Sequence, residues 1–138
     1  MESLKPDARF IGRISEALER GRMARSVILF GHSPKCLELT IAAAAKILVG
    51  GELLNTFAVW PTGKSRQISL AAIRAVLGKL HLSSLGGGRR VALIHGADRL
   101  HQSAANAMLK TLEEPPDGAF FLLSARRRCD VLGTIASR

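Results

Sequence analysis

Apolar and polar residues fall along this chain in blocks whose period switches between that of a helix and that of a buried strand. Phe10, Ile11, Ile14, Ala17 and Leu18 recur at helical spacing and Gly21 offers a stop, which predicts an amphipathic first helix. Residues 26–30 (SVILF) form a short continuous apolar run, the mark of a strand covered on both faces in a parallel sheet. A glycine-containing turn leads into residues 37–48, rich in Ala and Leu and closed by Gly50-Gly51, which predict a second helix. Residues 56–60 (TFAVW) predict a second strand, ended by Pro61-Thr62-Gly63. Ser69 can cap a helix whose Ile73, Val76, Leu77 and Leu80 share one stripe. After the break at Gly86-Gly87-Gly88, residues 90–94 predict a third strand. A helix then carries Ala105, Met108, Leu109 and Leu112 on one face and stops at Pro115-Pro116. Residues 119–123 (AFFLL) predict the fourth strand.

Strands alternating with helices at this spacing predict βαβ units with right-handed crossovers. The expected fold class is α/β, a three-layer arrangement of a parallel sheet with helices on both faces. Ligands of such sheets sit at the carboxyl ends of the strands, so any chemistry is expected in the loops after Phe30, Trp60, Ile94 and Leu123.

The length of 138 residues suits one domain, and 47% hydrophobic with 22% charged residues excludes a disordered chain. Twenty basic against eleven acidic side chains leave a net charge of +9, which fits a polyanionic neighbour, a solubilising surface or one face of an assembly. The apolar stretches at 39–49 and 91–94 are too short and interrupted to cross a bilayer, and residues 1–7 lack the apolar core of a secretion signal. No membrane partner and a cytoplasmic location are therefore expected. Cys36 and Cys129 belong to no C-x-x-C pair and have no histidine at metal-site spacing. Neither a metal nor a disulfide is expected, and both thiols are expected to be buried.

The first loop, Gly31-His32-Ser33-Pro34-Lys35-Cys36-Leu37-Glu38, stands where a phosphate-binding G-x-x-x-x-G-K-[ST] would stand. Gly31 is in register, but Cys36 replaces the second glycine, Leu37 the lysine and Glu38 the hydroxyl residue. A nucleotide site needs backbone N–H groups at the phosphates, a lysine on their oxygens and a hydroxyl on magnesium. Here Leu37 removes the cation and Glu38 brings like charge, leaving Lys35 as the one substitute cation. The second loop holds a relaxed match, Ala58-Val59-Trp60-Pro61-Thr62-Gly63-Lys64-Ser65. Its first residues belong to the strand and the next helix begins near Ser69, so Lys64 and Ser65 read as exposed loop residues, with an active ATPase as the alternative. The third loop offers His95 and Gly96 where an ATPase presents an acidic pair. Asp98 lies too far on for a metal ligand, and His95 reads as a loop histidine. In the fourth, Arg126-Arg127-Arg128 can clamp phosphate or nucleic acid or face solvent, which keeps a basic nucleic-acid-binding module as a further alternative. No Ser-His-Asp or Cys-His spacing supports nucleophilic catalysis.

The run from Val91 to Leu100 (VALIHGADRL), followed by Ala104 to Pro116 (AANAMLKTLEEPP), closely resembles the clamp-loader AAA+ subunits of bacterial DNA polymerase III. Upstream, Gly63 to Ser69 and Ile73-Arg74 resemble the delta-prime branch of that family, and the resemblance extends from about Arg25 to Arg138. It implies an AAA+ P-loop NTPase-like base domain over residues 1–138, incomplete because the family continues with a fifth strand, a lid and a helical collar. It also implies a non-hydrolysing role without a bound cofactor, in step with the changes at Cys36, Leu37, Glu38, His95 and Gly96; Gly31 and Lys35 complete the degenerate P-loop. Partners implied are the delta and gamma/tau subunits, the sliding clamp and primed DNA. Arg127 falls at the position of the family's polar sensor. Thr134 to Arg138 resembles the start of the serine-arginine-cysteine motif, which would give Arg138 a catalytic role in trans at a neighbour's ATP. The family's cysteine-ligated zinc module has no counterpart around 50–55.

Overall fold

The computed structural model describes residues 6–31, 33–50, 55–81 and 89–126. Helix α1 runs Ala8–Glu19 and is capped by Asp7, whose carboxylate accepts the N–H groups of Arg9 at 3.0 Å and Phe10 at 3.4 Å. The Asp7 N–H in turn donates to Thr40 Oγ1 at 2.8 Å, which ties the start of α1 to the following helix. Gly21, at φ 68°, turns the chain out of α1 where the pattern predicts a stop. Then follow β1 (Ser26–Phe30), α2 (Pro34–Val49), β2 (Thr56–Val59), α3 (Leu70–His81), β3 (Arg90–His95), a 3-10 turn (Ala97–Arg99), α4 (Gln102–Glu113) and β4 (Ala119–Ala125).

The strands form one sheet in the order β1-β4-β3-β2, and every pairing is parallel. Side chains alternate across it with a period of two. On one face Val91, Leu93, Phe120 and Leu122 meet Ile14 of α1 and Ile41, Ala44, Ala45 and Leu48 of α2. On the other, Ala92, Ile94, Phe121 and Leu123 meet Ile73, Val76 and Leu80 of α3 and Ala105, Met108 and Leu112 of α4. The expected three layers are therefore present. β3 and β4 lie in the middle and are buried along their whole length, which is why their sequences run apolar without alternation. Each large side chain sealed there, Phe121 and Leu122 among them, contributes roughly 1.5–3 kcal/mol of transfer free energy.

Element ends differ from the sequence expectation in four places, each for a local reason. α2 begins at Pro34 rather than at residue 37, because Ser33 Oγ accepts the Cys36 N–H at 3.2 Å and Pro34 needs no N–H partner in a first turn. Lys35, Cys36, Leu37 and Glu38 thus belong to a helix, not to a loop. β2 ends at Val59, and Trp60 leaves the sheet to stack on a histidine ring. β3 takes in His95, which pairs with Ser124. β4 continues to Ala125 because β1 and β3 flank it and Phe30 pairs with Ala125.

The amino end of the sheet is fastened by arginines. Arg90, buried at the start of β3, donates through Nη1 to Leu80 O near the end of α3 and through Nη2 to Asp117 O at 2.6 Å. Arg89 donates to Leu48 O at the end of α2 at 3.1 Å, and Arg25 to Ala119 O at 3.3 Å while lying over the Phe120 ring. Cations are favoured at helix carboxyl ends, where carbonyls lack intrahelical partners. Among the described residues no helix is long and apolar enough to cross a membrane.

Candidate functional site

A cleft of about 250 Å³ opens at the carboxyl ends of the strands, lined by residues that include Gly31, Leu37, Glu38, Trp60, His95, Asp98, Arg99 and Arg126. Its floor toward β1 is set by Gly31 and Leu37. Leu37 is 8% exposed, and a Cβ on Gly31 would stand 3.1 Å from Leu37 Cδ2, so the leucine lies directly over the glycine. Glu38 follows, half-buried, and also lines the cleft. The connection from Phe30 to Pro34 is too short for an open phosphate cradle, and three amides at its ends are committed within the protein. Gly31 N–H donates to Ala125 O at 3.2 Å, Cys36 N–H to Ser33 Oγ and Leu37 N–H to Ser33 O at 3.0 Å, while Pro34 has none.

Lys35 is exposed and lies outside the cleft lining. Cys36 is half-buried rather than buried and borders a second cavity, of about 200 Å³, together with Asp7, Phe30 and Thr40. Cys129, the run from Arg127 to Asp130 and Arg138 lie outside the described residues.

His95 is a buried strand end rather than a loop residue, 7% exposed. Its ring stacks on Trp60 with centroids 4.7 Å apart and planes 7° from parallel. Burial holds its pKa below the ordinary 6.5, with the Glu38 carboxylate pulling the other way. The imidazole is therefore neutral at pH 7. Next to it Gly96 adopts φ 99°, and a Cβ there would stand 3.2 Å from Pro61 Cγ. Gly96 N–H donates to Ser124 O at 3.0 Å and faces Ser124 Oγ at 3.3 Å, which binds the β3 exit to β4.

The turn after Trp60 closes on itself. Thr62 N–H donates to Gln67 O at 3.1 Å and Arg66 N–H to Gly63 O at 3.3 Å, with Gly63 at φ 77° and Arg66 at φ 52°. Lys64 and Ser65 sit exposed at its tip, and α3 starts only at Leu70, where Ser69 Oγ accepts the Ala72 N–H at 3.2 Å. Neither residue opens a helix or lines the cleft. Ile68 then pairs beside Leu100, linking this turn to the 3-10 segment that carries Asp98 and Arg99. Among the described residues no three His, Cys, Asp or Glu side chains are grouped to hold a metal ion. Sequence reasoning missed Trp60 and Ser124 as site residues. A tryptophan before a proline at a strand end was the available signal for the first, and Ser124 carried none.

A parallel α/β sheet with its cleft at the carboxyl edge, entered by the β1–α2 connection, defines a domain of the nucleotide-binding type in architecture. The sequence profile described as DNA polymerase III, delta subunit, matches residues 51–138, and the chain belongs to that family. Its relatives include the DNA polymerase III subunits delta' of Yersinia pestis, 32% identical over 95 residues that make up 69% of this chain and 28% of that protein. The Escherichia coli delta' subunit is 33% identical over 93 residues, 67% of this chain and 28% of the relative. That of Haemophilus influenzae reaches 51% identity over 51 residues, 37% of this chain and 16% of the relative. The chain thus spans less than a third of the length of these relatives. A crystal structure of a DNA polymerase III gamma subunit-related protein from Thermotoga maritima superposes with a TM-score of 0.75 at 25% identity, covering 93% of this chain and 43% of that one.

Proposed function

We propose that this chain is the AAA+ base domain of a delta-prime-like clamp-loader subunit that does not hydrolyse ATP and supports loading of the sliding clamp onto primed DNA. The observation that carries this reading is the early start of α2, with Leu37 laid over Gly31 and Glu38 beside it. A triphosphate with magnesium needs free N–H donors, a cation and a hydroxyl at these positions. The residues present do not fit it. The amides of Gly31, Cys36 and Leu37 are bonded within the protein, the space over Gly31 is filled by an apolar side chain, and the nearby carboxylate repels phosphate.

In this reading the domain is a member of a hetero-oligomer with delta and gamma/tau partners that keeps the fold of a nucleotide site without its chemistry. In the same reading Arg138 acts in trans on a neighbouring subunit's nucleotide, where a guanidinium can meet developing phosphate charge in bidentate geometry. Calorimetric titration of the chain with ATP and magnesium tests the proposal. No micromolar binding and no phosphate release are expected, and magnesium-dependent binding with turnover overturns it.

A further inference from the structure

Trp60 is the single tryptophan of a chain without tyrosine, and it lies ring on ring with His95. The His95 Nδ1 is buried and has no hydrogen-bond partner among the described residues. Whichever nitrogen carries the proton of the neutral ring, the imidazolium must donate from both. A charged N–H buried without an acceptor costs far more than a neutral nitrogen left unpaired. The indole face attracts a cation and would not by itself expel the ring. What the present pose lacks is an acceptor at Nδ1.

The charged groups that line the cleft with the ring come from three places in the fold. Glu38 projects from α2, Asp98 and Arg99 come from the 3-10 turn, and Arg126 follows β4; the segment after β2 contributes only the indole of Trp60 and Pro61. Among them Glu38 is the group whose charge favours a protonated ring. Pro61, next to Trp60, packs against Gly96, next to His95, so the stack also joins the turn at 61–67 to the strand ends.

We propose that His95 is a proton-operated latch on the cleft: neutral, it keeps Trp60 stacked beside the cleft; protonated, it turns to donate to Glu38 and releases the indole with the turn behind it. The device is independent of the clamp-loader assignment. It requires only the stack, the unpaired nitrogen and the carboxylate.

Acrylamide quenching of Trp60 fluorescence across pH, with far-UV circular dichroism in parallel, tests it on the whole chain. Indole accessibility is expected to rise in one protonic step centred below 6.5 while the dichroism stays constant. The step disappears in His95→Phe. In Glu38→Gln its midpoint moves to lower pH, because the carboxylate no longer favours the imidazolium. Constant accessibility, the same step in His95→Phe, a step that coincides with loss of helix signal, or an unmoved midpoint in Glu38→Gln each overturn the latch. If His95→Phe does not fold, the Glu38→Gln midpoint decides alone.

Discussion

The two ends of the sheet use charge in opposite ways. At the amino end, Arg25, Arg89 and Arg90 reach backbone carbonyls of β4, α2, α3 and the turn before β4, and one of them is buried. At the carboxyl end, Glu38, Asp98, Arg99 and Arg126 share a cleft without forming an ion pair within 4 Å, and the ordered contacts there are a ring stack, a leucine over a glycine and N–H groups on a strand. Net charge is therefore a poor guide to partners in this protein. Part of the +9 surplus holds helices to the sheet, and only the remainder is free to meet another molecule.

Substitutions at the two ends should separate these roles. The largest effect is expected for Arg90→Ala, which removes the donor to the buried Leu80 carbonyl and to the Asp117 carbonyl and should lower stability by about 3 kcal/mol in urea unfolding, with the Trp60 environment unchanged before the transition. Gly96→Ala places a side chain at a positive φ against Pro61 and should cost roughly 1–3 kcal/mol while altering Trp60 emission in the folded state, the reverse pattern at the opposite end. Asp7→Ala removes the α1 cap and should cost about 1 kcal/mol, read by the same unfolding curves.

Acid provides a smaller, reversible test. Because burial depresses the His95 pKa below 6.5, the unfolded chain binds the proton more readily. The contribution of this residue is thus complete above that pH and declines as pH falls from 6.5 through the folded value, a decline that His95→Phe should remove. Last, Lys64→Ala should change stability by no more than about 0.5 kcal/mol and should leave any residual nucleotide affinity untouched. A loss of nucleotide binding in that variant would restore the exposed turn as a phosphate site.

Much of this was legible in the sequence because it rests on local signals. Continuous apolar runs gave away the buried strands, and Ile73, Val76 and Leu80 marked the face of α3 that packs. The Ser33-Pro34 pair is also a local signal, a cap followed by a first-turn proline, and weighing it would have placed the start of α2 correctly. Other features depend on residues far apart in the chain. The order β1-β4-β3-β2 and the meeting of Trp60 with His95 arise from packing of the whole sheet, which no window along the sequence contains. Arg90 was legible as the start of a strand and not as a clasp on α3, since its partners Leu80 and Asp117 come from different segments.

The proline that opens α2 makes the divergence of this domain hard to reverse. Exchanging Leu37 and Glu38 for a lysine and a threonine would restore side chains but not backbone, because the helix would still start too soon after β1 and its first-turn amides would still point into their own cap. Regaining an anion cradle would require unwinding the first turn of α2 as well as changing its chemistry. Replacements at Leu37 and Glu38 do not lead back by themselves; the Ser33-Pro34 start of the helix has to move first.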